Sequence, residues 1–126
     1  MHPCRSQPAA THPDLVIHVG DYLYREDPCP AGISGCAGSP SGYGWDSWNA
    51  DFFAPAEPLL ATAPWVLTRG NHEDCDRAGE GWFRFLDRAP MEMSCRDFSG
   101  DFVARLGAFG VVVVDGAKAA DPKTSG

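Results

Sequence analysis

The sequence predicts an α/β chain in which a βαβ unit is followed by a β-hairpin. Two short apolar runs, Leu15–Val19 and Trp65–Thr68, each stop close to a glycine, at Gly20 and Gly70. Between them, Trp45, Trp48, Phe52, Ala56 and Leu59 recur at helical spacing. Near the end, Leu106-Gly107-Ala108 separates an alternating segment from the valine run Val111–Val114. That is the pattern of two strands joined by a tight turn.

Taken in order, residues 1–13 hold three prolines and no apolar periodicity, and read as a loose arm. Residues 15–19 are β-branched-rich with polar flanks, as expected of a buried parallel strand. Residues 25–44 are rich in proline and glycine and carry two cysteines, which predicts a long loop of the kind that often has a function. Asp46 is placed to cap the helix that follows, and Pro55 and Pro58 to kink or split it. Strand, helix, strand in that order favours parallel pairing. Gly81–Leu86 reads as a brief helical or extended segment. Residues 97–105 alternate into the hairpin, whose second strand is expected to be central and buried. The domain is expected over residues 14–116, with a polar tail over 117–126.

Composition narrows the function. The chain has 126 residues, 44% of them hydrophobic, and a net charge of −7 from 10 basic and 17 acidic side chains. A single domain of this size can bury roughly two thirds of its unfolded surface. The acidic balance disfavours nucleic acid and anionic membranes, which select clustered lysine and arginine. No stretch is long enough for a membrane span, and the first residues lack the apolar core of a signal peptide. The five cysteines contain no Cys-x-x-Cys pair, which argues against a cysteine zinc site. Cys29 and Cys36 bracket a short loop that can bring them together, Cys75 and Cys95 could form a second bridge, and Cys4 is left over; at least one disulfide is expected, against five free thiols, with the pairing open.

The chemistry concentrates at the two strand ends. Parallel strands carry their carboxyl ends to one edge of a sheet, where ligands of open α/β folds bind. Asp21 in GDYLYRED and Asn71-His72 in RGNHED would meet there. A carboxylate, an amide oxygen and an imidazole suit hard or borderline metal ions, and a carboxylate can bridge two of them. Each motif alone is ordinary: Gly-Asp is common turn chemistry and Asn-His a common surface pair. His18, inside the first strand, reads as a core histidine.

GDYLY and GNHE, in this order, resemble the GDxxY and GNH(D/E) motifs of the calcineurin-like metallophosphoesterases. The aromatic residue three after the aspartate is similar to the purple acid phosphatase branch. The resemblance implies part of a metallophosphoesterase β-sandwich flanked by helices, acting on small phosphate esters through a dinuclear centre of Fe, Zn or Mn. It implies Asp21 as the bridging ligand, Tyr24 as a phenolate ligand, Asn71 as an amide ligand and His72 as the residue that contacts phosphate and assists the leaving group. Glu73 would be a supporting residue. The family's upstream Asp-x-His or Asp-x-Gly strand end and its later histidine motifs have no counterpart here. The chain is therefore read as the middle of such an enzyme, with too few ligands to hold two metals tightly. It could be completed by a partner or be a non-catalytic remnant. Paired loop cysteines imply a periplasmic or secreted full-length protein.

Overall fold

The computed structural model describes residues 11–88 and 94–118. Strand β1 (Val16–His18) pairs in parallel with β2 (Trp65–Leu67), in the register Val16 with Trp65, Ile17 with Val66 and His18 with Leu67. Two backbone bonds extend the ladder: Val16 donates to Pro64 and Thr68 donates to His18, at 3.0 and 3.2 Å. Between the strands the chain is helical, as helix α1 (Trp45–Trp48), a π-helical turn (Asn49–Phe53) and helix α2 (Ala54–Leu60). Helix α3 (Gly79–Phe85) follows β2. Strands β3 (Phe102–Leu106) and β4 (Phe109–Val113) then form an antiparallel hairpin. The content is mixed helix and strand, as an α/β chain requires.

Three details differ from the sequence expectations. Asp46 does not cap α1; Gly44 stands at the cap position and Asp46 lies in the first turn. Neither proline splits the helix: Pro55 sits at its permissive start and Pro58 stays within it, while the π-helical turn absorbs the change of phase. The valine run is not a buried central strand. Val113 is buried, but Val112 and Val114 are 69% and 58% exposed, because alternate residues of a strand face opposite ways.

The core is aromatic. Tyr22, Leu23, Trp48, Phe52, Ala78, Trp82 and Phe83 are buried together, with Trp65, Leu67 and Phe85 against them. Both phenylalanines of the π-helical turn pack, Phe52 against Tyr22 and Trp65 and Phe53 against Trp45 and Phe85. Helix α3 closes the cluster through a small residue. A Cβ on Gly81 would lie 2.5 Å from Trp48 Cε2, so only glycine lets the indole seat there. Burying aromatic side chains of this size stabilises by roughly 1.5–3 kcal/mol each, and here it fixes the ends of β1 and β2 side by side. His18 stacks on Tyr22 at 4.2 Å, consistent with the core role expected of it.

The outer loop and the hairpin are tied down separately. Disulfides join Cys29 to Cys36 and Cys75 to Cys95, the two candidate pairs. Arg69, only 1% exposed, forms a bidentate ion pair with Asp115, with Nε to Oδ1 at 3.1 Å and Nη2 to Oδ2 at 2.5 Å. Its remaining N–H groups donate to the carbonyls of Arg96 and Asp97 at 2.8 and 2.9 Å. This buried guanidinium fastens the hairpin's exit to the end of β2. Ala117, expected to begin a frayed tail, is buried and donates its amide to Asp115 at 2.9 Å. The rest of the expected arm over 1–10 and tail over 119–126, including Cys4, lies outside the described residues.

Candidate metal centre

The ends of β1 and β2 meet through two glycines. A Cβ on Gly20 would lie 2.6 Å from Gly70 Cα, and one on Gly70 would lie 2.6 Å from the Asp21 amide nitrogen. Gly20 and Asp21 both adopt positive φ, at 105° and 60°. For aspartate this is a strained conformation, tolerated where surrounding contacts impose it.

Those contacts are on Glu73. Its side chain is fully buried, and its carboxylate accepts four backbone N–H bonds. Oε2 takes Asp21 at 2.9 Å and Gly70 at 3.1 Å, and Oε1 takes Tyr22 at 2.7 Å and Leu23 at 3.3 Å. Burial pushes the carboxyl above the ordinary range, and the four amides pull against that shift. The residue expected to be merely supporting is thus the bolt between the two motifs.

Three of the four candidate site residues lie within hydrogen-bond distance of one another. Asp21 Oδ1 accepts the His72 amide at 3.2 Å. The Asn71 side chain lies between Asp21 and Arg77. With its nitrogen towards the carboxylate, it donates to Asp21 Oδ1 at 3.2 Å and accepts from Arg77 Nη1 at 3.3 Å. Turned over, its oxygen faces the carboxylate oxygen, an arrangement that two acceptors sustain around a cation. The fourth, Tyr24, is 63% exposed, with its ring 4.4 Å from the His72 ring and tilted by 43°. Partial burial and the carboxylates of Asp21 and Glu73 push its phenol up, which opposes a free phenolate.

A model of the family described as calcineurin-like phosphoesterase matches residues 5–124. The chain belongs to that family. No curated protein and no solved structure matches it. The family is hydrolytic and generally uses a dinuclear metal centre. Asp21 and Asn71, the two oxygen-bearing candidates, lie side by side at the strand ends. Among the described residues, no group of three or more His, Cys, Asp and Glu side chains converges to hold a metal. Two donors do not complete a dinuclear centre, which needs several protein ligands in fixed geometry.

Around His72 lies a cluster that no motif announces. His72 Nδ1 is 2.9 Å from the Leu23 carbonyl oxygen, 2.9 Å from Glu26 Oε1 and 2.9 Å from Arg77 Nη2. Glu26 also pairs with Arg77, through Nη2 and, at 3.0 Å, through Nε, and accepts the Tyr43 hydroxyl at 2.9 Å. Burial pushes the Glu26 carboxyl up, but Arg77, Tyr43 and His72 outweigh it and hold it below its ordinary value. With Nδ1 occupied, Nε2 is the nitrogen His72 can offer to a ligand. Asp51 fastens the same loop from the helical side, accepting the Tyr24 and Arg25 amides at 2.8 and 2.9 Å and Arg25 Nε at 2.6 Å. The only trace of these residues in the sequence is a run of charge after the first motif, Arg25-Glu26-Asp27, with nothing to name its partners.

Proposed function

We propose that this chain serves metal-dependent hydrolysis of small phosphate esters. Asp21 and Asn71 face the metal side and His72 faces the substrate. The observation that supports this is the meeting of Asp21, Asn71 and His72, some fifty residues apart in the chain, within hydrogen-bond distance. His72 Nε2 can hold a proton at the leaving oxygen or bind a phosphate oxygen, while the Leu23 carbonyl and Glu26 fix the ring. The finer reading is a purple acid phosphatase-like enzyme, carried by the position of Tyr24 three residues after Asp21. In that reading the metals are Fe with Zn or Mn, and Tyr24 is an iron ligand.

The test is turnover of an aryl phosphate by the full chain supplied with Mn, Zn or Fe, alongside Asp21→Ala and His72→Ala. Both substitutions should abolish turnover, and activity that survives both would sink the assignment. Iron loading with a visible charge-transfer band lost in Tyr24→Phe would support the finer reading; a colourless iron-loaded protein would end it.

A second reading is favoured by one further observation. Ile17, Val19, Val112 and Val114 leave one face of the strands 52% to 80% exposed. With the sparse donor set, this supports a chain completed by a partner covering that face, or a non-catalytic relative. Elemental analysis separates the readings, because two tightly held metals per chain exclude an inert form. The two disulfides support an oxidising compartment, periplasmic or extracellular. Thiol counting on protein isolated from such a compartment should find both pairs oxidised.

A further inference from the structure

We infer that the exposed aliphatic face of the strands is a self-association surface, on which a second copy of this chain packs about a two-fold axis. This names the occupant of the face left open above, and rests on the reading that a partner covers it. Ile17, Val19, Val112 and Val114 belong to one surface, because β1 and β4 line a single cleft of about 130 Å3 that Val66 also lines. Val103 extends it. It pairs with Val112 across the hairpin, so the two side chains share a face, and it is 50% exposed. At these exposures the five side chains present roughly 500 Å2 of apolar surface, a size at which a patch on a monomer is often functional. Two copies face to face would bury about 1,000 Å2, the lower bound for a specific interface. The association should therefore be weak, with a micromolar dissociation constant.

Charge selects a second copy as the occupant. Asp101, Val103 and Arg105 stand at alternate positions leading into and along β3, so their side chains share a face, and all three are exposed. A two-fold axis crossing the strand at Val103 sets the copies antiparallel and places Asp101 of each against Arg105 of the other. Opposite charges equally spaced about an aliphatic centre suit a two-fold interface, in which every contact is made twice. Arg105 forms no ion pair among the described residues. Asp101 is held in place by the Asp115 amide, which donates to its Oδ1 at 3.3 Å. Sheet faces pack about 10 Å apart, a gap that arginine and aspartate side chains span together. The other segments of the chain do not match this face. Residues 1–10, 89–93 and 119–126 hold no leucine, isoleucine, valine or aromatic side chain to set against branched aliphatics.

Sedimentation velocity of the full chain, from micromolar to near-millimolar concentration, tests this. The wild type should sediment as monomer and dimer in exchange, and Val112→Glu, which puts a charge into the face, should remove the dimer. Asp101→Arg alone sets arginine against arginine at both symmetric contacts, and Arg105→Asp alone sets aspartate against aspartate. Each should weaken dimerisation about tenfold. Both substitutions in one chain should restore it, and the two single variants mixed in equal amounts should pair with each other more tightly than either does with itself. A variant that failed to fold could not be rescued by mixing. A wild type that stays monomeric overturns the proposal and leaves the face to a different partner; a monomer that also holds two metals tightly overturns the wider reading as well. A dimer that persists in Val112→Glu, or that neither the swaps nor their mixture alter, overturns the proposal too, because the copies would then meet through another surface.

Discussion

Replacing Glu73 with glutamine asks how much of the site depends on a single buried carboxylate. Each Glu73 oxygen accepts two backbone amides, Tyr22 and Leu23 on Oε1, Asp21 and Gly70 on Oε2, at 2.7 to 3.3 Å. Glutamine has the same shape but only one acceptor oxygen. Whichever way its amide turns, an NH2 group faces two N–H donors that it cannot satisfy. Each buried donor left without a partner costs about 1–3 kcal/mol. Asp21 and Gly70 are only half-buried, so the lower part of that range applies to them. The expected loss is about 3 kcal/mol, against a total of about 5–15 kcal/mol for an ordinary domain. Urea unfolding at neutral pH, followed by the fluorescence of buried Trp48 and Trp82, measures it. With a slope of about 1.5 kcal/mol per molar, the midpoint should fall by about 2 M. Glu73→Ala, which leaves all four amides unpaired, should fall further. A Glu73→Gln midpoint within about 0.5 M of the wild type would refute the reasoning, because the second oxygen and the charge would then be holding nothing.

Asp115 gives a pH prediction. Burial pushes its carboxyl up, but Arg69, the Ala117 and Ser99 amides and the Ser99 hydroxyl outweigh this and hold it at about 2, below the ordinary 3.8. A carboxyl lowered on folding stabilises fully above its unfolded value and loses that contribution as pH falls through its folded one. The wild type should therefore lose about 2 kcal/mol between pH 5 and pH 2 on this account, and Asp115→Asn should lack that part of the slope in urea titrations. Replacing Cys75 and Cys95 together with serine should cost about 3 kcal/mol, and Cys29 with Cys36 about 2.5 kcal/mol; thermal melts that rank the two pairs the other way would contradict the loop-length argument. Gly70→Ala would place a methyl group 2.6 Å from the Asp21 amide nitrogen. It should cost about 1–3 kcal/mol and weaken Mn binding, measured by melting and titration.

Legibility in the sequence followed the range of the interaction. Strands, hairpin and long loop came from period and composition, which are local. The two motif ends could be read because glycine, aspartate, asparagine and histidine each have a narrow set of uses where a strand stops. Spacing made both cysteine pairs candidates, but the pairing itself stayed open in the sequence. The rest depended on side chains that meet only in the folded chain. Glu26 lies outside any motif, yet it touches His72, Arg77 and Tyr43. Arg69 meets Asp115 across 46 residues, and no local pattern encodes that pairing. The valine run was misjudged because composition reports that a strand is apolar, not that both of its faces are covered.

The two motifs lock each other in a reciprocal way. The carboxylate of the first motif, Asp21, accepts the amide of His72 in the second; the carboxylate of the second, Glu73, accepts the amides of Asp21, Tyr22 and Leu23 in the first. Each acidic side chain thus fixes backbone of the other motif, and the positive-φ turn at Asp21 is held by the Glu73 carboxylate. The Asn71 amide bridges the two charges beside it, donating to Asp21 Oδ1 and accepting from Arg77 Nη1. The expense of ordering the loops is therefore met during folding. Groups held in place before a ligand arrives need little further rearrangement to bind it, which is the physical content of preorganisation.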